Sequence, residues 1–328
     1  MRAFLLKMLV SSAIVLLAVT VLVLFLPNVT RPDFLFGVTI NPAFRQTPEA
    51  RRIVGRFRLF VAVSAAIAIG LALATGYMEW ELLQVAGFTM ALAIAHRRTL
   101  EHAAPPNRLV EADLAAPSEK FPGGIVAALV PAASLGALAI WASSHWDRLP
   151  SQIPVHWSLR GPDRWISRTQ ESVYGWLAIS AAVSLLFMLM AWAILHRSRR
   201  ASTAEGRRFR RLTVQLIVVT GYWVAALAWL ALVASGRANW LAGVLLAIVA
   251  VYLVLMIRAL RRAAATPAGD RTPDACWKLG IFYFNPADPA VFVAKRFGVG
   301  YTFNFANRWS WLMLAALLVV VAAGRLLK

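Results

Sequence analysis

Apolar residues run along this chain in long blocks separated by shorter polar stretches. Eight blocks come near the roughly 20 residues that a helix needs to cross a bilayer. They fall at about 8–26, 59–75, 80–96, 123–143, 173–195, 212–233, 240–257 and 309–326. The pattern predicts an all-α polytopic membrane protein with about eight transmembrane helices. Only residues 76–79 separate the second block from the third, which predicts a tight helical hairpin. Trp80, Trp141, Trp176, Trp240 and Trp309 sit at block ends, where interfacial aromatics concentrate. Arg2 and Lys7 precede the first block as in a signal peptide, but Leu26-Pro27-Asn28 offers no small-residue cleavage site. The first block is therefore read as a retained helix.

The polar stretches divide the chain: a membrane region over 1–143, a loop domain over 144–172, a second membrane region over 173–257, a basic β-rich element over 258–308, and a final span over 309–328. The loop centres on Leu149 to Arg168, with Pro150, Pro154, Gly161 and Pro162. Such a backbone cannot lie in lipid with its polar groups satisfied, so it belongs at a membrane face. Within 27–58, Phe34 to Ile40 has strand-like residues, and Thr47-Pro48-Glu49 reads as a helix start. Arg51, Arg52, Arg56 and Arg58, interleaved with Ile53, Val54 and Phe57, then predict a short basic helix on anionic headgroups; plain orientation charges would give the same pattern.

Residues 97–122, with Pro105, Pro106, Pro117 and four acids, read as a mobile connector, and 196–211 as an arginine-rich topology anchor. Beyond a flexible 263–273, the run from Cys276 to Asn304 predicts two or three short strands, a small β-hairpin element in the last cytoplasmic loop. Phe36-Gly37-Val38-Thr39 with Asn41 faintly echoes Phe297-Gly298-Val299 with Thr302 and Asn304.

Composition agrees with the blocks: 60% of residues are hydrophobic and 15% charged, against roughly 25% charged in soluble domains. The net charge of +19 would fit nucleic acid, but its placement in loops between apolar blocks excludes that class. Counted by alternate loops, Lys and Arg divide 25 against 9. The richer side stays in the cytoplasm. Both termini and the 144–172 loop are then extracytoplasmic, in a bacterial inner membrane. The basic flank of the first span argues the other way for that span alone.

One cysteine, Cys276, excludes an internal disulfide and a multi-cysteine metal site. His145, Asp147, His156, Asp163 and Glu171 supply the loop's histidines and acids, without a metal-ligand spacing. Ser151, Ser158 and Ser167 lack a Gly-x-Ser-x-Gly turn. No cofactor is expected. The loop reads as proline-braced, with Trp146, Trp157 and Trp165 packed against the interface and each other. With Arg160, Arg164 and Arg168, the same surface suits an amphipathic peptide or a lipid headgroup. No Asp, Lys or Arg sits mid-span, which speaks against ion-coupled transport. Pro131 is placed to kink the fourth span.

Leu149-Pro150, Ile153-Pro154-x-His156-Trp157, Gly161-x-Asp163 and Trp165 resemble a bacterial membrane domain best known from the immunity protein against the sporulation-delay toxin. Cys276-Trp-Lys, Tyr283-Phe-Asn-Pro286, Asp288-Pro289, Lys295-Arg296-Phe297-Gly298 and Thr302-x-Asn304 resemble a second small domain that often accompanies it. The resemblance implies an extracytoplasmic loop and toxin immunity or signal relay. The reading is a non-enzymatic sensor or immunity factor of the lipid bilayer. His156, Trp157, Gly161, Asp163 and Trp165 would engage a peptide toxin or envelope ligand. Trp277, Asn285, Asp288, Lys295, Arg296, Phe297 and Gly298 would face a cytoplasmic regulator. The alternative is an envelope- or lipid-modifying enzyme using His156 and Asp163.

Overall fold

A computed structural model describes residues 2–75, 80–105, 120–158, 161–198, 204–233, 238–263 and 272–326. Among them the chain forms eight α-helices: α1 (Arg2–Val29), α2 (Pro48–Thr75), α3 (Glu81–Leu100), α4 (Gly124–Ser144), α5 (Gln170–Arg197), α6 (Ala204–Val233), α7 (Ala238–Ala263) and α8 (Arg308–Leu326). Four contain stretches long and apolar enough to cross a membrane: Pro48–Thr75, Gly124–Ser144, Gln170–Arg197 and Gly206–Val233. The expectation of eight such helices is corrected to four among the described residues. In α3, Gln84, His96, Arg97 and Arg98 dilute the apolar run. In α1, α7 and α8 the described apolar stretches are short: Leu16–Val29, Ala247–Ala259 and Arg308–Gly324. The predicted connectors at 76–79 and 106–119, and most of 263–273, lie outside the described residues.

The chain divides into two compact units. One comprises Met1–Glu111, Leu260–Asn285 and Ala294–Thr302; the other comprises Ala112–Ala259, Pro286–Val293 and Phe303–Lys328.

In the first unit α2 packs with α1 and α3. The sequence start signal of α2 is real: the Ala50 N–H donates to the Thr47 hydroxyl at 3.2 Å, and Pro48 opens the helix. Thr47→Ala is expected to cost about 1 kcal/mol, measured as a lower Tm of the purified chain. The basic residues 51–58 do not form a separate helix but continue unbroken into 59–75. Nothing in the stretch ends a helix, since Gly55 alone only weakens one. The buried stripe is Ala50, Ile53, Phe57, Val61, Ala65, Ala68 and Ala72, a spacing of three and four that selects one face. Leu59, Val63, Ile67 and Leu73 are left exposed on other faces.

Strands β1 (Phe34–Leu35) and β2 (Val38–Thr39) pair antiparallel around Phe36-Gly37. Both turn residues have positive φ, 45° and 79°, the backbone of a two-residue hairpin turn. Arg45 braces this region by donating to the carbonyls of Pro27, Arg31, Pro32 and Phe34. Burial lowers the Arg45 pKa from its ordinary value, and neighbouring Asp33 pulls it back up.

In the second unit α4, α5 and α6 pack against one another. Ser184 of α5 donates to the Gly221 carbonyl of α6 at 3.2 Å, a close crossing between small residues. Pro131 lies inside α4 and has no N–H to offer the Ala127 carbonyl one turn back. The Tyr222 hydroxyl of α6 donates to that carbonyl at 2.8 Å. The proline therefore gains a specific partner helix.

Between α4 and α5 the chain forms strands β3 (Gln152–Ser158) and β4 (Gly161–Ser167), seven residues each and antiparallel. The all-α expectation missed this hairpin. Further on come β5 (Trp277–Lys278), β6 (Phe282–Tyr283), β7 (Phe292–Ala294) and β8 (Tyr301–Phe303), pairing β5 with β6 and β7 with β8. The predicted single β-element is two hairpins.

Candidate functional site

Ile153 and Ile166 face each other across the β3–β4 ladder and are fully buried, at 0% and 2% exposure. They pack with Leu135 and Leu138 of α4, Val173 and Leu177 of α5, and Ala228 of α6. One face of the hairpin is thereby fixed to three helix ends. At its base Arg168 donates to the carbonyls of Trp146 and Leu149, both at 3.0 Å. Thr169 then caps α5 by accepting from the Ser172 N–H at 3.2 Å.

The ladder shifts register twice. Val155 is an extra residue between Pro154 and His156, and Asp163 is one between Pro162 and Arg164. Such bulges re-aim the side chains beyond them. His156 and Arg164 are paired and exposed, and Trp165 is 47% exposed beside Pro154. Trp165 lies open on the protein surface, and Trp146 stacks on Tyr174 with ring centroids 6.0 Å apart. The backbones of Trp157, Gly161 and Asp163 lie in the strands; their side chains are outside the described residues, as is Arg160. His145 stacks on Trp141 and contacts its carbonyl at 3.0 Å through Nδ1. Among the described residues, no three His, Cys, Asp or Glu side chains gather as a metal site would need.

At its far end α5 meets a second motif segment of the same unit. The Val291 N–H donates to the Arg197 carbonyl at 2.7 Å, and Ser198 bridges to Phe292. Asp288 is buried and accepts from the Ala290 N–H at 3.1 Å. Asn304 donates to the Asp288 carbonyl at 2.9 Å, and Asn307 to that of Pro289 at 2.9 Å. These contacts hold residues 288–291 against the start of α8.

The first unit contains a separate cluster. Arg296 is 1% exposed and donates to an Asp274 carboxylate oxygen at 2.5 Å and to the Thr272 carbonyl. Its guanidinium carbon lies 4.9 Å from the Phe34 ring centroid and 5.1 Å from that of Trp277. The same Asp274 accepts from the Thr39 hydroxyl at 2.8 Å. Phe297 packs between Phe36 and Phe57. Trp277, Arg296 and Phe297 are thus interior groups that tie the β1–β2 and β5–β6 hairpins together. Asn285 donates to the Tyr283 hydroxyl at 3.0 Å, and the Gly298 N–H to the Thr30 hydroxyl at 3.4 Å. Lys295 is the exposed residue among the lysine and arginine of that motif; what desolvation it feels lowers its pKa from the ordinary lysine value.

The residues sequence reasoning missed here are Gly280, Asp274 and Thr272, which meet the Gly37, Thr39 and Arg296 it had singled out. Their signal is a repeat: Phe36-Gly37-Val38 before Asn41-Pro42, and Leu279-Gly280-Ile281 before Asn285-Pro286. Leu279 and Gly280 also have positive φ, 52° and 70°. The Phe36-Gly37 turn meets this turn through its glycines, while Phe297 of the Phe-Gly-Val echo packs its ring 5.5 Å from that of Phe36. Each glycine faces the other, leaving no room for a Cβ.

The chain is therefore a mostly helical protein with, among the described residues, four helices long and apolar enough to cross a membrane and several small β-hairpins. Residues 133–180 match the model of a domain of unknown function (DUF1648), and residues 286–311 match that of a family of unknown function (DUF5808). The first match covers the end of α4, the β3–β4 hairpin and the start of α5; the second takes in 286–293 at the far end of α5, residues 294–302 of the first unit with Arg296 and Phe297, and the start of α8. Neither description names toxin immunity. No curated protein and no solved structure matches the chain.

Proposed function

We propose that this chain is a non-enzymatic sensor or immunity-type relay of the bacterial cell membrane. The exposed edge of the β3–β4 hairpin binds a peptide toxin or another envelope ligand on the outer face. Residues 286–293 present the response to a cytoplasmic regulator. The observation that carries this reading is α5. Its 28 residues begin at the hairpin and end at the hydrogen bond from Val291 to Arg197. A helix of that length is about 42 Å long, close to a bilayer with its headgroups at roughly 40–45 Å. One rigid element thus joins both matched segments. The seven Lys and Arg of 196–211, against four in 144–172, favour the hairpin outside.

His156 and Trp165 are exposed, so replacing both leaves the buried Ile153–Ile166 anchor intact. Cells lacking the gene and complemented with the wild-type chain or H156A/W165A would be challenged with a panel of amphipathic envelope-active peptides. The deletion should sensitise cells to at least one peptide. The double variant should shift its inhibitory concentration by roughly thirtyfold, the loss of an aromatic anchor, with an unchanged Tm. Full rescue by the variant, or no sensitivity on deletion, overturns the reading. Alkaline phosphatase fused after Ser158 should be active and after Gly269 silent; the reverse result inverts the sidedness.

A further inference from the structure

We propose that the exposed face of the β5–β6 hairpin is a lipid-contacting surface, with Phe282 and Phe284 seated in the phospholipid headgroup layer and Lys278 reaching its phosphates. Trp277 pairs with Tyr283, and Lys278 with Phe282. The Phe284 N–H extends the ladder by donating to the Cys276 carbonyl at 2.9 Å. Alternate residues of a strand share a side. Trp277 and Tyr283 accordingly point into the protein and are buried, while Lys278, Phe282 and Phe284 point out. The two phenylalanines are 45% and 47% exposed. The Lys278 ammonium donates to the Ala275 carbonyl at 3.0 Å, and an ammonium has three donors. Two open rings beside a lysine suit neither bulk water nor the hydrocarbon centre. They suit the boundary, where aromatic rings sit among headgroups and a lysine stem lies along apolar surface with its charge in the polar layer.

The helices of the same unit place the hairpin at that boundary. α2 is long and apolar enough to cross a membrane, and its last arginine, Arg58, precedes an apolar run that starts at exposed Leu59. Phe57 therefore marks headgroup depth, and its ring lies 4.9 Å from that of Phe36. α3 gives the same level independently. Its apolar run closes at Ala95, and His96, just before Arg97 and Arg98, donates through Nδ1 to the Phe36 carbonyl at 2.9 Å. α1 agrees: Arg58 donates to the Leu24 carbonyl at 3.2 Å and to Asn28 at 2.8 Å, where the apolar stretch of α1 ends. The Gly280 turn of the β5–β6 hairpin sits against the Gly37 turn at this level, beside His96. Three helices thus have the boundary of their apolar runs where the two turns meet. A surface for a soluble partner requires no such registration. The inference uses neither the receptor reading nor a particular sidedness, and stands or falls separately from both.

The test attaches a nitroxide to single cysteines in the full chain carrying C276S, reconstituted in vesicles of phosphatidylcholine and phosphatidylglycerol. Depth is read from collisions with oxygen and with a water-soluble nickel chelate. Two exposed positions on α2 supply a ruler, through the variants E49C and V63C. Glu49 lies eight residues before Phe57, about 12 Å outward, and Val63 six residues after it, about 9 Å inward. Labels on F282C and F284C should read within one helical turn, roughly 5 Å, of the Phe57 level. That is a shift of roughly 7 Å or more inward from the E49C label. Should either label lower the Tm, K278C on the same face replaces it. Readings equal to that of E49C overturn the proposal and leave the face to a soluble partner. Readings equal to that of V63C overturn it as well, since the hairpin would then lie in hydrocarbon.

Discussion

Arg296→Ala is expected to destabilise the protein by about 3–5 kcal/mol, the cost of removing one partner of a buried ion pair. It should be read as a large fall in the Tm of the purified chain. Two losses combine. The Asp274 carboxylate, 17% exposed, would keep its desolvation cost without its cation. The gap between the Phe34 and Trp277 rings would lose the planar group that fills it. The control is R296M/D274L, which replaces the pair with apolar groups of similar volume. Such replacements are often neutral or stabilising, so the double variant should be markedly more stable than R296A. If R296A and the wild type melt together, the pair is not what holds the two hairpins.

Gly37→Ala should cost more than about 3 kcal/mol, by adding two effects. The residue has φ +79°, where an L side chain is strained, and a Cβ would land within the backbone of Gly280. Backbone cannot rotate aside as a side chain would. Gly280→Ala meets the Phe36 carbonyl and the Gly37 Cα in the same way and should be equally damaging. Gly55→Ala is the internal comparison. Gly55 lies in α2 with nothing within 4 Å of the added carbon. That change should stabilise by about 0.5–1 kcal/mol. A melting series of the three alanine variants separates turn geometry from general glycine loss.

Helices were legible in the sequence because a block of apolar residues needs no distant information to become helical. The Thr47 cap and the Pro48 start were legible for the same local reason. The β3–β4 hairpin was hidden by its own prolines: Pro154 and Pro162 read as loop, yet both are tolerated in an isolated two-stranded ladder with an open edge. The buried role of Arg296 was unreadable, because an arginine beside Lys295 looks like a surface charge. Its burial depends on Phe34 and Asp274, neither of which is local to it. Pro131 was marked as a kink, but its recipient, Tyr222, lies 95 residues from the freed carbonyl of Ala127. Information of that range is set by packing, not by periodicity.

The bond between Thr39 and Asp274 spans 235 residues of chain, which has a consequence for biosynthesis. A ribosome releases the Phe36-Gly37 tip long before the Gly280 turn that covers it exists. Throughout translation of the intervening helices, Leu35, Phe36 and Val38 have α2 and α3 to pack on, but Phe34 awaits Arg296, Phe36 awaits Phe297 and Thr39 awaits Asp274. A product ending before Asp274 would keep Leu35, Phe36 and Val38 packed on α2 and α3 but would leave Phe34 without Arg296 and Thr39 without its carboxylate, so the last fifth of the chain completes a core that the first third begins.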